Sequence, residues 1–197
     1  TVLSRGRFLF LHLVRSQTPA TVAAHMRGRF NDDGAAPFWD CFGAHFSSWA
    51  DSLEAEAVLA AHPERVDELT DLVLPLTPRD LESLGLVNRA SLTAFRMLMD
   101  EGLRSNGLYD PVDGGPTVSG ELIDTRTSRE RIHGRVVAGA GGTLDALVSV
   151  PSMARFAVVR TQVTVDPDER VHLSEGAMKS LGVADDALVT VLPLGDT

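Results

Sequence analysis

Helical and strand-like hydrophobic periods alternate along the whole 197-residue chain. Apolar residues recur at helical spacing in residues 2–16, whereas residues 21–28 alternate apolar and polar side chains, as a strand with one buried face does. The last third shows the same interleaving, with strands predicted over 131–138, 146–150, 157–165 and 187–194 and a helix over 174–181. This pattern predicts a mixed α+β fold.

Glycine and proline mark where the middle elements begin and end. Pro37 opens a short helix that carries Phe38 and Trp39. The Asp-Gly-Gly-Pro motif at 113–116 lies between two predicted strands, which favours a hairpin turn over a phosphate-binding loop, since such a loop precedes a helix. The charged segment 124–131 is expected to be an exposed arm. The other predicted elements are strands over 45–49, 72–76, 103–109 and 117–123 and helices over 52–61, 63–71, 77–85 and 90–101.

The charge balance argues against nucleic acid as a main partner. The chain has 18 basic and 27 acidic residues and a net charge of −9, so it would repel a phosphate backbone. Acidic residues concentrate in 51–100. That region could attract a cationic substrate or form a solvated helical face, and we favour the solvated face.

Cysteine usage and hydropathy favour a cytoplasmic protein. Cys41 is the only cysteine, so no internal disulfide can form, and no Cys/His cluster with metal-ligand spacing is present. The apolar run from Phe8 to Val14 is too short to span a membrane, and no targeting signal is visible. We therefore predict neither a metal nor a membrane partner.

His25 and Arg27 share the polar face of the strand predicted over 21–28. Arg27 could bind a carboxylate through both guanidinium nitrogens, or it could pair with an acidic residue on the surface. Neither alternative is excluded by the sequence. Residues interpreted as structural or incidental are Cys41 as a buried thiol, His62 at a helix C-terminus, and His133 and His172 in strands without an evident partner.

Several short motifs resemble, in order, those of the arginine N-succinyltransferase family. They are Ser4–Phe10, Met26–Gly28, Pro37–Asp40, Asp113–Thr117, Arg126–Thr127, Val171–Leu173, Leu181–Val183 and Val189–Leu194. The resemblance covers the whole chain. Its most specific part is the combination of the Pro-Phe-Trp helix with the Asp-Gly-Gly-Pro-Thr turn.

The resemblance implies a fold related to GNAT-type acyltransferases. Residues 1–50 would form the C-terminal half of a first GNAT-like lobe, 51–150 a second lobe, and 151–197 a strand-helix-strand C-terminal unit. The chain is expected to be incomplete at its N-terminus and to lack the glycine-rich loop that would hold the CoA pyrophosphate. The implied reaction moves a succinyl group from succinyl-CoA to the α-amine of arginine, or of ornithine, in arginine catabolism.

The resemblance also implies site residues. His25, Arg27, Phe38 and Trp39 would bind substrate near the acyl donor, and Asn88 stands where the family has a proton-donating His. Asn cannot transfer a proton, so its catalytic role is an open question. Succinyl-CoA would be a cosubstrate, with no cofactor bound, and the partners would be a small-molecule amine and a homologous chain in a homo- or hetero-oligomer. The alternative is a non-catalytic subunit or partner of an active homologue.

Overall fold

The computed structural model describes residues 2–42, 52–65 and 78–195. Contacts divide the chain into two compact units. The first contains the residues up to Thr21 and from Glu121 onward, and the second contains Val22–Gly120. This division differs from the predicted boundaries at residues 50 and 150, because strands on either side of residue 150 pair with each other in one sheet.

Helices and strands interleave, which confirms the mixed α+β prediction. The helices are α1 (Val2–Leu13), α2 (Pro37–Phe42), α3 (Ser52–Ala61), α4 (Pro78–Ser83), α5 (Leu92–Glu101), α6 (Arg126–Glu130) and α7 (Glu175–Leu181). The strands are β1 (Thr21–His25), β2 (Arg104–Tyr109), β3 (Pro116–Glu121), β4 (Ile132–Ala138), β5 (Leu144–Ser149), β6 (Val158–Val165), β7 (Arg170–Leu173) and β8 (Leu188–Pro193). Short 3-10 turns lie at Pro63–Arg65, Arg89–Ser91, Leu122–Asp124 and Met153–Arg155. The strands predicted over 45–49 and 72–76 and most of the helix predicted over 63–71 lie outside the described residues.

Five strands of the first unit close into a barrel in the order β4-β7-β6-β5-β8. β4 runs parallel to β7, and the other neighbouring strands are antiparallel. The core contains β-branched side chains, which suit a buried pleated surface. They include Val136, Val148, Val163, Val171, Val189 and Val191. Closure pairs each strand on both sides and leaves no open sheet edge.

Alternation along the barrel strands buries a second face against α1. Val148 and Val191 belong to the barrel core. Leu147 and Leu192, one residue away in each strand, instead pack with Leu9 of α1. Because the side-chain period of a strand is two residues, β5 and β8 can contact the core with one face and α1 with the other.

The segment predicted as an exposed arm over 124–131 contains a short helix with two buried threonines, so the prediction is wrong for those two residues and correct for the exposed Asp124, Arg129 and Glu130. Thr125 caps α6 by accepting a hydrogen bond from the backbone N–H of Ser128, and Thr125 and Thr127 are buried. Arg126 and Glu130 form an ion pair of 2.6 Å, one helical turn apart. The prediction relied on the many charged residues of this segment and overlooked its two threonines.

The second unit contains a three-stranded sheet in the order β1-β3-β2. β2 and β3 are antiparallel, with Arg104 opposite Ser119 and Tyr109 opposite Pro116. The connecting turn is closed by a hydrogen bond of 2.8 Å from the N–H of Asp110 to the carbonyl of Gly115. The predicted hairpin turn is confirmed.

In the described part of the chain, no helix is both long and apolar enough to cross a membrane.

Candidate functional site

The centre of the second unit is organised by the carboxylate of Asp113, which is only 6% exposed. One of its oxygens accepts a hydrogen bond of 2.8 Å from the N–H of Gly28, and the other accepts one of 2.8 Å from the N–H of Gly115. Charge-assisted bonds of this kind offset the cost of burying a carboxylate. Asp113 therefore holds the segment that follows β1 against the hairpin turn.

Two glycines permit this close approach. A Cβ on Gly28 would overlap the backbone carbonyl of Asp113, and a Cβ on Gly115 would overlap the carbonyl oxygen of Met26. The motif predicted as a turn is therefore a junction between two segments that lie 85 residues apart in sequence.

The two polar residues that the sequence placed on one face lie at the end of β1 and just after it. His25 and Arg27 are both exposed, with the buried Met26 between them. Nδ1 of His25 lies 2.9 Å from the hydroxyl of Thr117. The guanidinium carbon of Arg27 lies 4.4 Å from the ring centroid of Phe30, a cation–π arrangement that holds the guanidinium over the ring.

Arg27 and Asn88 are brought together by backbone pairing. The N–H of Asn88 donates to the carbonyl of Arg27 at 2.9 Å, and Gly28 forms an antiparallel bridge with Val87. The side-chain oxygen of Asn88 accepts a hydrogen bond of 2.9 Å from the N–H of Ala90 and caps the 3-10 turn that begins at Arg89. Asn88 therefore has an observed structural role as a cap.

A concave surface of about 340 Å³ lies beside this pairing. Its lining residues are Arg29, Phe30, Asn31, Asp32, Asn88 and Arg89. Sequence reasoning missed Arg29 and Arg89. Their position in the sequence could have indicated them, because each lies one or two residues after a residue predicted to be in the site. The surface offers two guanidinium groups and one carboxylate to a polar ligand.

Phe38 and Trp39 pack in the core of the second unit. Each is only 4% exposed, and they belong to one buried cluster with Ala36, Ala55 and Val112. Pro37 begins their helix, as predicted. The structure therefore shows a packing role for both rings, and their contact with a substrate stays a prediction.

The residues that sequence reasoning set aside have varied surroundings. His62 directly follows α3 and its backbone N–H donates to the carbonyl of Val58, which confirms that it lies at a helix C-terminus. His172 was expected to have no evident partner, but its Nε2 lies 3.3 Å from a carboxylate oxygen of Asp166. The side chain of Cys41 lies outside the described part of the structure. No group of three or more potential metal ligands was found among the residues that the structure describes.

These features define a mixed α+β protein with a five-stranded barrel and a separate unit that carries a polar, arginine-containing surface. Residues 1–127 match the sequence model of the family described as arginine N-succinyltransferase beta subunit. The chain belongs to the arginine N-succinyltransferase family, as its motifs predicted.

Curated relatives and a solved structure agree with this family. The arginine N-succinyltransferase of Yersinia enterocolitica is 28% identical over 98% of this chain and 58% of the relative. Arginine N-succinyltransferase subunit alpha of Pseudomonas aeruginosa is 29% identical over 96% of this chain and 58% of the relative. The structure of arginine/ornithine succinyltransferase subunit AI from the same organism superposes with a TM-score of 0.81, at 27% identity, over 98% of this chain and 56% of that chain. The chain thus spans somewhat more than half the length of these relatives.

Proposed function

We propose that the protein containing this chain is an acyltransferase that moves a succinyl group from succinyl-CoA to the α-amine of arginine or ornithine, in arginine catabolism. The observation that carries the proposal is the structural match, because it extends over 98% of the chain with a TM-score of 0.81. In this reaction the amine nitrogen attacks the thioester carbonyl, the carbon–sulfur bond breaks, and CoA leaves as the thiol with the proton that the amine loses.

The surface around Arg27 and Asn88 supports roles for both residues. Arg27 is exposed and its guanidinium is oriented by Phe30, so it can bind the carboxylate of a succinyl group through two nitrogens. Asn88 uses its side-chain oxygen as a cap. Its amide nitrogen would then donate to the carbonyl that becomes negative during attack. His25 would border the same ligand, and Phe38 and Trp39 would support the surface from the core.

We extend the proposal to the surroundings of the reaction. Succinyl-CoA acts as a cosubstrate, no cofactor is permanently bound, and the protein works in the cytoplasm. The two GNAT-like lobes also belong to this proposal. Because the family is described as a beta subunit and one curated relative is named subunit alpha, we also propose assembly with a homologous chain.

The test is release of the CoA thiol from succinyl-CoA by the full-length gene product that contains these residues. We expect turnover with arginine or ornithine and only background release without an amine. Arg27→Gln should raise the KM for succinyl-CoA, whereas Arg160→Gln, which removes an exposed barrel arginine paired with Asp145, should leave turnover unchanged. No thiol release with either amine, from a protein shown to be folded, would contradict the proposal.

A non-catalytic subunit is the second candidate, and the capping role of Asn88 favours it. A side chain that caps a turn and cannot release a proton suits a scaffold better than a general acid. The distinguishing measurement repeats the thiol assay with and without a catalytically competent homologue. Activity that appears only in the mixture supports the non-catalytic subunit. Asn88→His gives a further check, because a gain in rate would show an otherwise competent site.

A further inference from the structure

A cavity of about 270 Å³ lies in the first unit, between the C-terminal end of α1 and the barrel. We call it the cationic cavity. Its polar lining consists of His12, Arg15, Arg131, His133, Ser149 and Thr190. Leu9, Pro151 and Phe156 contribute apolar surface. The cavity is therefore large enough for a small organic molecule and offers such a molecule both a cationic side and an apolar side.

Among the polar residues of this lining, His12 is buried and has a ring nitrogen without a hydrogen-bond partner in the described structure. It is 9% exposed, and its Nε2 lies 3.3 Å from the hydroxyl oxygen of Thr125. That hydroxyl donates its own hydrogen to the carbonyl of Leu122 at 2.7 Å. Nε2 of His12 must therefore donate to Thr125, because the hydroxyl has no second hydrogen to offer.

Nδ1 of His12 has no hydrogen-bond partner within the described structure. In the neutral imidazole this nitrogen is a bare acceptor, since the hydrogen is on Nε2. In the charged imidazole it carries a second hydrogen that could be donated. Buried polar atoms are nearly always partnered in folded proteins, so this unpartnered nitrogen makes His12 an exceptional residue in the lining of the cavity.

The two arginines of the cavity have no acidic neighbour within its described lining. Arg131 donates to the backbone carbonyl and the hydroxyl of Ser128, at 2.7 and 2.9 Å, which fixes one side of its guanidinium. No Asp or Glu is found among the described residues that line the cavity. Burial, and then the charge of Arg15, lower the pKa of Arg131. Two neighbouring guanidinium groups without a carboxylate form an anion-binding arrangement.

Both histidines respond to this positive charge. Burial, followed by the charges of Arg131, Arg15 and His133, lowers the pKa of His12 to about 4. Burial also lowers the pKa of His133, with Arg131 and Arg15 acting in the same direction and Glu169 opposing them. Without a ligand, His12 is therefore neutral near neutral pH. An anion in the cavity would offset the charges of the arginines and would therefore raise the pKa of His12.

We propose that the cationic cavity binds a small carboxylate with a short aliphatic chain, held by the guanidinium groups of Arg15 and Arg131, and that the charge of this ligand favours protonation of the neighbouring imidazole of His12. The aliphatic part contacts the apolar side that includes Leu9 and Phe156. The proton comes from solvent when the carboxylate binds. It goes to Nδ1, because Nε2 already carries the hydrogen that bonds Thr125. This site does not depend on the proposed acyl transfer, and it can be tested without any turnover.

Calorimetric titration of the full chain with butyrate tests the site directly, and butyramide serves as the uncharged ligand of the same shape. We expect butyrate to bind and butyramide not to bind. Arg15→Gln and Arg131→Gln should each weaken butyrate binding about ten- to a hundredfold, as expected for the loss of a charge-assisted hydrogen bond. Arg160→Gln is the matched control, because Arg160 lies on the same barrel and pairs with Asp145. Circular dichroism verifies that each variant is folded.

Proton uptake separates the proposed arrangement from simple charge attraction. Binding in buffers of different ionisation enthalpy should show uptake of protons, and the affinity for butyrate should increase as the pH falls from about 7 toward the pKa of about 4 that His12 has without a ligand. His12→Gln keeps an N–H for Thr125 but has no group that titrates at this position. It should therefore abolish the uptake that depends on His12 and weaken binding at the lower pH.

Three results would overturn the proposal. Butyramide could bind as well as butyrate, which would make the charge irrelevant. Inorganic phosphate could bind where butyrate does not, which would assign the cavity to a different oxyanion. Butyrate could bind equally to the parent chain and to folded Arg15→Gln and Arg131→Gln variants, which would place its site elsewhere.

Discussion

Asp113 of the second unit and His12 of the first are both buried ionisable side chains, and their hydrogen bonding is opposite. Asp113 of the second unit is 6% exposed, and each of its oxygens accepts a backbone hydrogen bond of 2.8 Å. His12 of the first unit is 9% exposed, and only one of its nitrogens has a partner among the described residues. Burial is nearly equal, but the hydrogen bonding is not.

This difference teaches how to separate a structural polar group from a site. The hydrogen bonds to Asp113 come from the protein's own backbone, so the carboxylate stabilises the junction between Gly28 and the hairpin turn. His12 has one nitrogen without a partner among the described residues, and its side chain lines a cavity with two arginines. Sequence composition treats the two residues alike, whereas the count of satisfied hydrogen-bonding atoms distinguishes them.

Gly28→Ala should produce the largest loss of stability. The new Cβ would overlap the backbone of Asp113, which cannot move without breaking the hairpin turn. We expect the free energy of unfolding to fall by more than about 3 kcal/mol, measured by urea unfolding. Gly176→Ala in α7 is the matched control, since no atom lies within 4 Å of its Cβ. It should be neutral or stabilise by up to about 1 kcal/mol. Equal effects of the two substitutions would contradict the close packing at Gly28.

Asp113→Ala tests the hydrogen bonds of the same junction without adding bulk. It leaves the N–H groups of Gly28 and Gly115 without their acceptor, at a cost of about 3 kcal/mol in the free energy of unfolding. Asp113→Asn supplies one acceptor oxygen and should recover only part of the loss. The exposed Asp168 provides the control, and Asp168→Ala should leave the urea midpoint unchanged. Full stability of Asp113→Ala would show that water replaces the carboxylate.

His12→Gln should change how stability depends on pH. The pKa of His12 is lowered from 6.5 to about 4 in the folded chain, so the unfolded chain binds more protons between these values. The parent chain therefore loses stability as the pH falls from about 6.5 to about 4, by at most about 3 kcal/mol from this residue. Glutamine does not titrate, so urea unfolding of the variant should show a flatter profile in this window.

The control for that measurement is His62→Gln. His62 has a side chain that is 61% exposed, and its replacement should leave the parent profile intact. If His12→Gln and the parent chain lost stability in parallel, the buried imidazole would not be the source of the acid sensitivity.

Local sequence rules predicted much of the fold. The helix closed by Gly102 and the helix closed by Gly182 were both predicted, and each glycine has the left-handed conformation that a helix cap favours. The hairpin turn before Pro116 was also predicted, because turn chemistry is encoded in adjacent residues. Barrel strands followed from their hydrophobic alternation.

Contacts between distant segments could not be predicted in this way. Asp113 bonds Gly28, 85 residues away in sequence, and no local sequence pattern predicts that partner. The cationic cavity brings His12 together with Arg131 and His133, and His133 had been assigned no role. Backbone pairing brings Arg27 to Asn88, and no local pattern predicts that pairing either. Tertiary assembly, and not propensity, creates these sites.

Asn88→Ala should give the smallest effect of the series, because only one hydrogen bond is lost. The side chain caps a short 3-10 turn through the N–H of Ala90, and removing such a cap costs about 1 kcal/mol in the free energy of unfolding. Asn88→Asp keeps the accepting oxygen and should retain the stability. A stability loss without a change in thiol release would restrict Asn88 to the structural role that Asp113 also has. If Asn88→Asp kept the stability but lost turnover, the amide nitrogen would instead be the part that acts on the substrate.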